Sequence, residues 1–171
     1  ISGYTSKVAG TEEGVVEPEA TFSACFGSPF MPLHPAVYAN MLGHKIEENN
    51  VHVWLINTGW SGGPYGIGSR IKLKYTRAMI SAVIHNKLDN LNYKEHNIFK
   101  LNMLTTCPDV PNKILDPINT WDNKSDYEKH AKKLANLFHE NFYTISNSKA
   151  SQSIIDTNKL KEIQLGGPEH N

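Results

Sequence analysis

Hydrophobic and polar positions in this chain follow two periods, and the period changes where turn residues gather. From His34 to Asn49, the residues Tyr38, Met41, Leu42, Lys45 and Ile46 return every three or four positions, the spacing of one helical face. Pro35 suits the first turn of that helix, where a missing N–H costs little. Val51-His52-Val53-Trp54-Leu55-Ile56 follows, β-prone and apolar on both faces after Val53, as in a strand covered from both sides. Asn57-Thr58-Gly59 is the turn signal that ends it. Thr76 caps a second expected helix, with Met79, Ile80, Val83, Ile84 and Leu88 as its buried stripe and a close near Asp89-Asn90. A third helix begins at Ser125, three residues before Glu128 in the capping-box pattern. Its apolar face is Tyr127, Ala131, Leu134, Phe138 and Phe142. A last helical stretch runs from about Ile154 to Leu165 and stops at Gly166-Gly167-Pro168.

The other segments lack sustained periodicity. The first twenty residues, rich in Gly, Thr and Glu, read as the tail of a helix followed by a loop. Between the expected strand and the second helix, four of the ten residues from Trp60 to Ser69 are Gly, and the β-prone Arg70-Ile71-Lys72-Leu73 comes next. A long exposed loop between two ordered elements is where binding chemistry is commonly carried. Asp116-Pro117-Ile118-Asn119-Thr120-Trp121 is turn-rich, its Asp and Asn suited to backbone hydrogen bonds, and reads as structural. No internal repeat or low-complexity tract is present. The expected architecture is mixed α/β, with helices beside a small sheet, in one segment spanning residues 1–171.

Composition narrows the function classes. The 171 residues fit one domain of roughly 100 to 200 residues. No apolar run reaches the length of about 18 residues that a membrane helix needs. Lys plus Arg equals Asp plus Glu at 17 each, so there is no basic field to attract a phosphate backbone, and neither nucleic acid nor membrane is an expected partner. Cys25 and Cys107 form no CxxC pair and read as reduced thiols in a cytoplasmic protein. The chain opens at Ile1 without initiator Met or signal core, so either a targeting segment was removed or the chain is a piece of a longer one.

Several kinds of chemistry are disfavoured. Eight histidines invite a metal, but His139-Glu140 has Tyr143 where a zincin helix needs its second His, and no metal ligands are assigned. Cys25, flanked by small residues in Ser23-Ala24-Cys25-Phe26-Gly27, only loosely resembles a nucleophile elbow, and a buried structural cysteine is the plainer reading. No GxxxxGK[ST] motif exists to cradle phosphates. What remains is Arg70, an always-charged planar group just after the glycine loop, with the Thr76 hydroxyl nearby. Together they suit the grip of a nucleotide's base and sugar, although a surface Arg and an ordinary cap would look the same.

The blocks Gly3-Tyr4-Thr5-Ser6-Lys7-Val8-Ala9-Gly10-Thr11-Glu12, Thr21-Phe22-Ser23-Ala24-Cys25-Phe26-Gly27 and Leu33-His34-Pro35 occur in order. With Asn57-Thr58-Gly59-Trp60, Arg70-Ile71, Tyr75-Thr76-Arg77-Ala78, Leu88-Asp89-Asn90, Ile114-Leu115-Asp116-Pro117 with Asn119-Thr120-Trp121, and the Gly166-Gly167-Pro168 ending, the chain resembles the ATP-dependent phosphoenolpyruvate carboxykinases along essentially its whole length. The resemblance implies the C-terminal part of that family's nucleotide-binding domain, with an incomplete P-loop-type core. It implies conversion of oxaloacetate and ATP to phosphoenolpyruvate, ADP and carbon dioxide in gluconeogenesis. It also implies a divalent metal, Mg or Mn, held by residues outside this segment. Nucleotide contacts would fall on Arg70, on the Ile71 backbone and on the Thr76 hydroxyl, and no catalytic residue is assigned within the segment. The insert Gly62–Gly68, with Ser69 before the Arg, is longer than in the family's shorter bacterial form. On this reading the remainder of the same chain is a partner, and the strand Val51–Ile56 pairs with strands it supplies. The alternative is a free-standing nucleotide-binding or protein-interaction module without catalysis.

Overall fold

The computed structural model describes residues 3–7, 13–14, 16, 19–23, 30–64, 66–89, 91–146 and 168. Cys25 and the expected helix near 154–165 lie outside the described residues. The chain divides into two compact units, one of residues 1–52 and 135–170, the other of residues 53–134 with residue 171.

In the first unit, strand β1 (Gly3–Lys7) pairs antiparallel with β2 (Glu19–Ser23), setting Tyr4 opposite Phe22 and Thr5 opposite Thr21. This corrects the expected helix tail. Aromatic and β-branched residues paired across the ladder favour a hairpin, and five residues are too few for a period to reveal it. Helix α1 (Pro35–Asn49) starts as its sequence predicts, with Pro35 in the first turn. The His34 ring supplies the cap, Nδ1 accepting the Ala36 N–H at 3.2 Å. The expected apolar face is not covered, since Ala36 alone is buried in α1 while Met41 and Leu42 are more than half exposed.

Helices α1 and α2 (Leu73–Ile84) end by the same device. Asn50 (φ 45°) and Asn86 (φ 51°) adopt the left-handed conformation. Val51 and Lys87 then donate back to the carbonyls of Ile46 and Ala82, and Asn50 and Asn86 to those of Glu47 and Val83. This is the Schellman closure, with Asn in the place Gly most often takes.

Val51–Ile56 forms no strand. Val51, Val53 and Leu55 are exposed, Leu55 to 79%, while Trp54 and Ile56 are partly covered. An apolar run suited to the middle of a sheet needs a neighbour on each side, and no described strand pairs with it. Short hairpins form instead: β3 (Trp60–Ser61) with β4 (Ser69–Arg70), and β5 (Tyr93–Glu95) with β6 (Asn102–Leu104), both antiparallel. Beyond β6 come α3 (Asn112–Leu115) and a 3₁₀ turn at Pro117–Thr120. The mixed α/β class is as expected, the sheet content being three two-stranded antiparallel pairs among the described residues.

The core of the second unit is small: Ala82, Leu88, Cys107 and Val110, surrounded by Trp54, Tyr75, Met79, Val83, Leu104 and Leu115. Leu88 is 1% exposed. The expected α2 stripe needs correcting, because Ile80 and Ile84 face solvent and Leu88 lies beyond the helix end. The Schellman closure reverses the chain after Ile84, so Leu88 reaches the core from a turn. Burial, then the nearby Asp109 carboxylate, pushes the free Cys107 thiol above its ordinary pKa and keeps it protonated.

Helix α4 (Lys124–Ser146) presents Ala131 and Ala135 buried and Tyr127, Leu134, Phe138 and Phe142 partly buried, the face its periodicity predicts. Phe138 meets Phe22 edge to face at 5.2 Å. Asn123 provides the cap in place of Ser125, its Oδ1 accepting the Ser125 N–H at 2.9 Å. Both residues are good caps, and the Asn two positions upstream is the one outside the helix. Leu88→Ala in the intact protein is expected to cost roughly 2–5 kcal/mol, seen as a lower urea midpoint. An unchanged midpoint would show that the surrounding side chains collapse into the space.

Candidate functional site

The glycine loop is built from its two ends inward. At the entrance Asn57 Oδ1 accepts the Gly59 N–H at 2.9 Å and Nδ2 donates to the Trp60 carbonyl at 3.2 Å, a local Asx turn. Trp60 then pairs with Arg70 and Ser61 with Ser69, and the Ile71 N–H donates to the Gly59 carbonyl at 2.9 Å. The tip closes on itself, because the Pro64 carbonyl accepts from Ile67 N–H at 3.1 Å and Gly68 N–H at 2.9 Å.

Geometry requires glycine within this loop, Gly62 and Gly63 among the positions. Gly62 has φ +83°, and a Cβ there would stand 2.8 Å from the Thr120 carbonyl oxygen. Gly63 has φ +153°, and a Cβ would stand 2.8 Å from Ile67 Cγ2. Ser61 Oγ lies 2.8 Å from Thr120 Oγ1, and Thr120 Oγ1 donates to the Pro117 carbonyl at 2.7 Å. Thr120 has one hydroxyl proton, already given to Pro117, so Ser61 is the donor in the shared bond.

Arg70 and Ile71 therefore stand together at the base of a closed hairpin, Arg70 exposed and Ile71 half-buried. Thr76 is not the cap of α2. Lys72 precedes the helix without a side-chain cap bond, and its carbonyl accepts from the Tyr75 and Thr76 N–H groups. Thr76 sits one turn inside the helix and is 8% exposed. Leu73 and Lys74 take the first helical positions, so the helix begins inside the segment Arg70–Leu73 that reads as β-prone.

A second cluster left no trace in the sequence pattern. Lys94 Nζ donates to Asp116 Oδ2 at 3.0 Å, between clefts of about 260 Å³ and about 220 Å³. His96 is buried on the wall of the second. Its Nδ1 accepts the N–H groups of Ile98 and Phe99, each at 3.1 Å. Nδ1 therefore carries no proton, and the neutral ring donates from Nε2 to Tyr127 Oη at 2.6 Å. Burial lowers the His96 pKa, with the Asp116 carboxylate opposing and the Lys94 ammonium assisting. Burial, then Asp116, pushes the Tyr127 pKa up to about 12. Trp121 packs edge-on against Tyr127 at 5.8 Å. The arrangement is a neutral, closed fastener between the β5–β6 hairpin and α4.

Among the described residues no three His, Cys, Asp or Glu side chains come together as a metal would need. No described helix is long and apolar enough to cross a membrane.

Comparison with known proteins connects the loop to a family. The model of a family described as phosphoenolpyruvate carboxykinase matches residues 1–113. The phosphoenolpyruvate carboxykinase (ATP) of Christiangramia forsetii is 60% identical over 142 residues, covering 83% of this chain and 27% of its own length. Those of Caldanaerobacter subterraneus subsp. tengcongensis and Flavobacterium johnsoniae are each 59% identical with the same coverage. The chain thus spans about a quarter, 27%, of the length of the curated relatives it matches.

The fastener sets a pH window. His96 is neutral in the fold with a lowered pKa, so below about pH 6.5 the unfolded chain binds the extra proton and stability falls with falling pH. Tyr127 keeps its proton in the fold to about 12, so stability also falls as pH rises from about 10 toward that value. Ring-nitrogen NMR of His96 is expected to show midpoint titration below about 6.5, with the proton on Nε2 at neutral pH. A midpoint at or above that value, or a proton on Nδ1, would contradict the assigned bonds.

Proposed function

The chain belongs to the phosphoenolpyruvate carboxykinase (ATP) family, and from that premise we propose that it forms one wall of the adenosine pocket in an enzyme converting oxaloacetate and ATP to phosphoenolpyruvate, ADP and carbon dioxide. The segment 1–171 is then the C-terminal portion of the ATP-binding domain, working in the cytoplasm and in gluconeogenesis. The observation that carries this reading is the closed hairpin, whose base presents an exposed guanidinium at Arg70 beside a backbone fixed at Ile71.

In this reading Arg70 packs or bonds against the nucleotide through its planar, permanently charged group. The Ile71 N–H is committed to Gly59, so its backbone contact falls to the carbonyl. Thr76, 8% exposed, meets the adenine through its hydroxyl. Loss of carbon dioxide from oxaloacetate leaves the electron pair of the broken C–C bond in an enolate. The enolate oxygen attacks the γ-phosphorus and ADP departs; a divalent metal held elsewhere in the enzyme would supply charge neutralisation at the phosphates. The described residues offer no set of ligands that fits that metal, and the sequence holds no Walker-type phosphate cradle. The work of this chain is recognition and positioning of the nucleoside end. The uncovered Val51, Val53 and Leu55 support a sheet partner from the remainder of the same protein.

In the intact protein, Arg70→Ala is expected to raise KM for ATP by about tenfold, and Arg70→Lys to restore little of it, because an ammonium lacks the planar fork. Unchanged KM and turnover in Arg70→Ala would remove the assigned role. Expressed by itself, the 171-residue chain is expected to self-associate through its uncovered apolar run. A monodisperse monomer melting in one cooperative step would count against the missing sheet partner.

A further inference from the structure

We propose that Thr120, in the turn Asp116–Trp121, is a positioning residue that holds the nucleotide-facing edge Arg70-Ile71 in place through the glycine hairpin. The inference rests on the adenosine-pocket reading above and gives that turn a role beyond shaping its own backbone.

A ladder of two residue pairs, Trp60 with Arg70 and Ser61 with Ser69, is too short to hold its shape in water unaided. It needs an outside anchor, and Thr120 supplies two contacts to it from one residue. Its hydroxyl accepts the Ser61 proton across 59 positions of sequence. Its carbonyl oxygen closes the space beside Gly62 so tightly that only glycine fits there. The turn is itself fixed, because Thr120 donates to the Pro117 carbonyl, Asn119 N–H donates to the Asp116 carbonyl at 3.0 Å, and Lys94 grips the Asp116 carboxylate. From Ser61 the constraint has one residue to travel along the ladder, to the Trp60–Arg70 pair, and one more to the Ile71–Gly59 bond.

The test uses the intact protein expressed from its own coding sequence, with Thr120→Val, which keeps the shape and removes the hydroxyl, and Thr120→Ser, which keeps the hydroxyl. Two quantities are read: amide hydrogen exchange at Ile71, and KM for ATP beside kcat. Thr120→Val is expected to speed Ile71 exchange and to raise KM about fivefold with a change in kcat of less than about twofold, the scale of one lost hydrogen bond. Thr120→Ser is expected to restore both. Ser61→Ala removes the same bond from its other end and is expected to reproduce the KM shift, should Thr120→Val fold poorly. Wild-type exchange and KM in both Thr120→Val and Ser61→Ala would overturn the proposal, as would Thr120→Ser behaving like Thr120→Val. Faster exchange with unchanged KM, where Arg70→Ala does raise KM, would overturn the positioning role and leave the nucleotide reading standing. Unchanged KM in Arg70→Ala would bring down both.

Discussion

Leu88 is the only large side chain that the described core closes over completely, and the second unit is arranged around it. It reaches that place because α2 stops at Ile84 and Asn86 turns the chain back through a left-handed residue. Ala82, Cys107 and Val110 then meet it from a helix and from the turn after β6. A core of that size buries little apolar surface, so it fixes the path of the chain without fixing its outer loops. The loops are held by discrete polar fasteners instead: Lys94 on Asp116, His96 on Tyr127, Ser61 on Thr120. Each couples a hairpin to a segment distant in sequence, which is why the turn at Asp116–Thr120 matters out of proportion to its length.

What could be read from the sequence divides along the same line. The start of α1 at Pro35 and the inward face of α4 were legible, because each depends on residues within one or two helical turns. Val51–Ile56 reads as a strand from its β-prone apolar residues but takes no strand conformation here, since a strand needs a neighbour that local composition does not carry. Thr76 and Ser125 both look like caps in isolation. The backbone chose Lys72 and Asn123, and a Thr buried inside the helix gives the same letter as a Thr at its end. Leu88 is buried as its place in the apolar stripe suggests, but the β1–β2 hairpin and the helix end at Ile84 are not legible, one being too short for a period and the other depending on a chain reversal at an Asn.

The candidate site shows a similar mixture. The glycine loop, Arg70 and the Thr76 hydroxyl stand out by composition, charge and position alone, and the family resemblance adds Ile71. Ser61 and Thr120 had no local signal, since their partnership spans 59 positions and involves a hydroxyl pair of the commonest kind. His96 and Tyr127 were equally silent, and their bonding shows a neutral ring locked by two backbone donors. That environment withholds a proton more readily than it delivers one, which suits a fastener better than an acid or a base.

The hairpin that carries Arg70 has its constraints at its base: the Asx turn at Asn57, the Trp60–Arg70 pair and the contact at Thr120 all lie outside residues 64–68. Within that span the N–H groups of Ile67 and Gly68 fold back on the Pro64 carbonyl to form the tip. Length can be added to or taken from such a tip while the base keeps its register, much as a handle can be lengthened without disturbing the joint that holds it. Growth or shrinkage of this loop between related chains would then reshape what hangs over the site, leaving the address of the arginine unchanged.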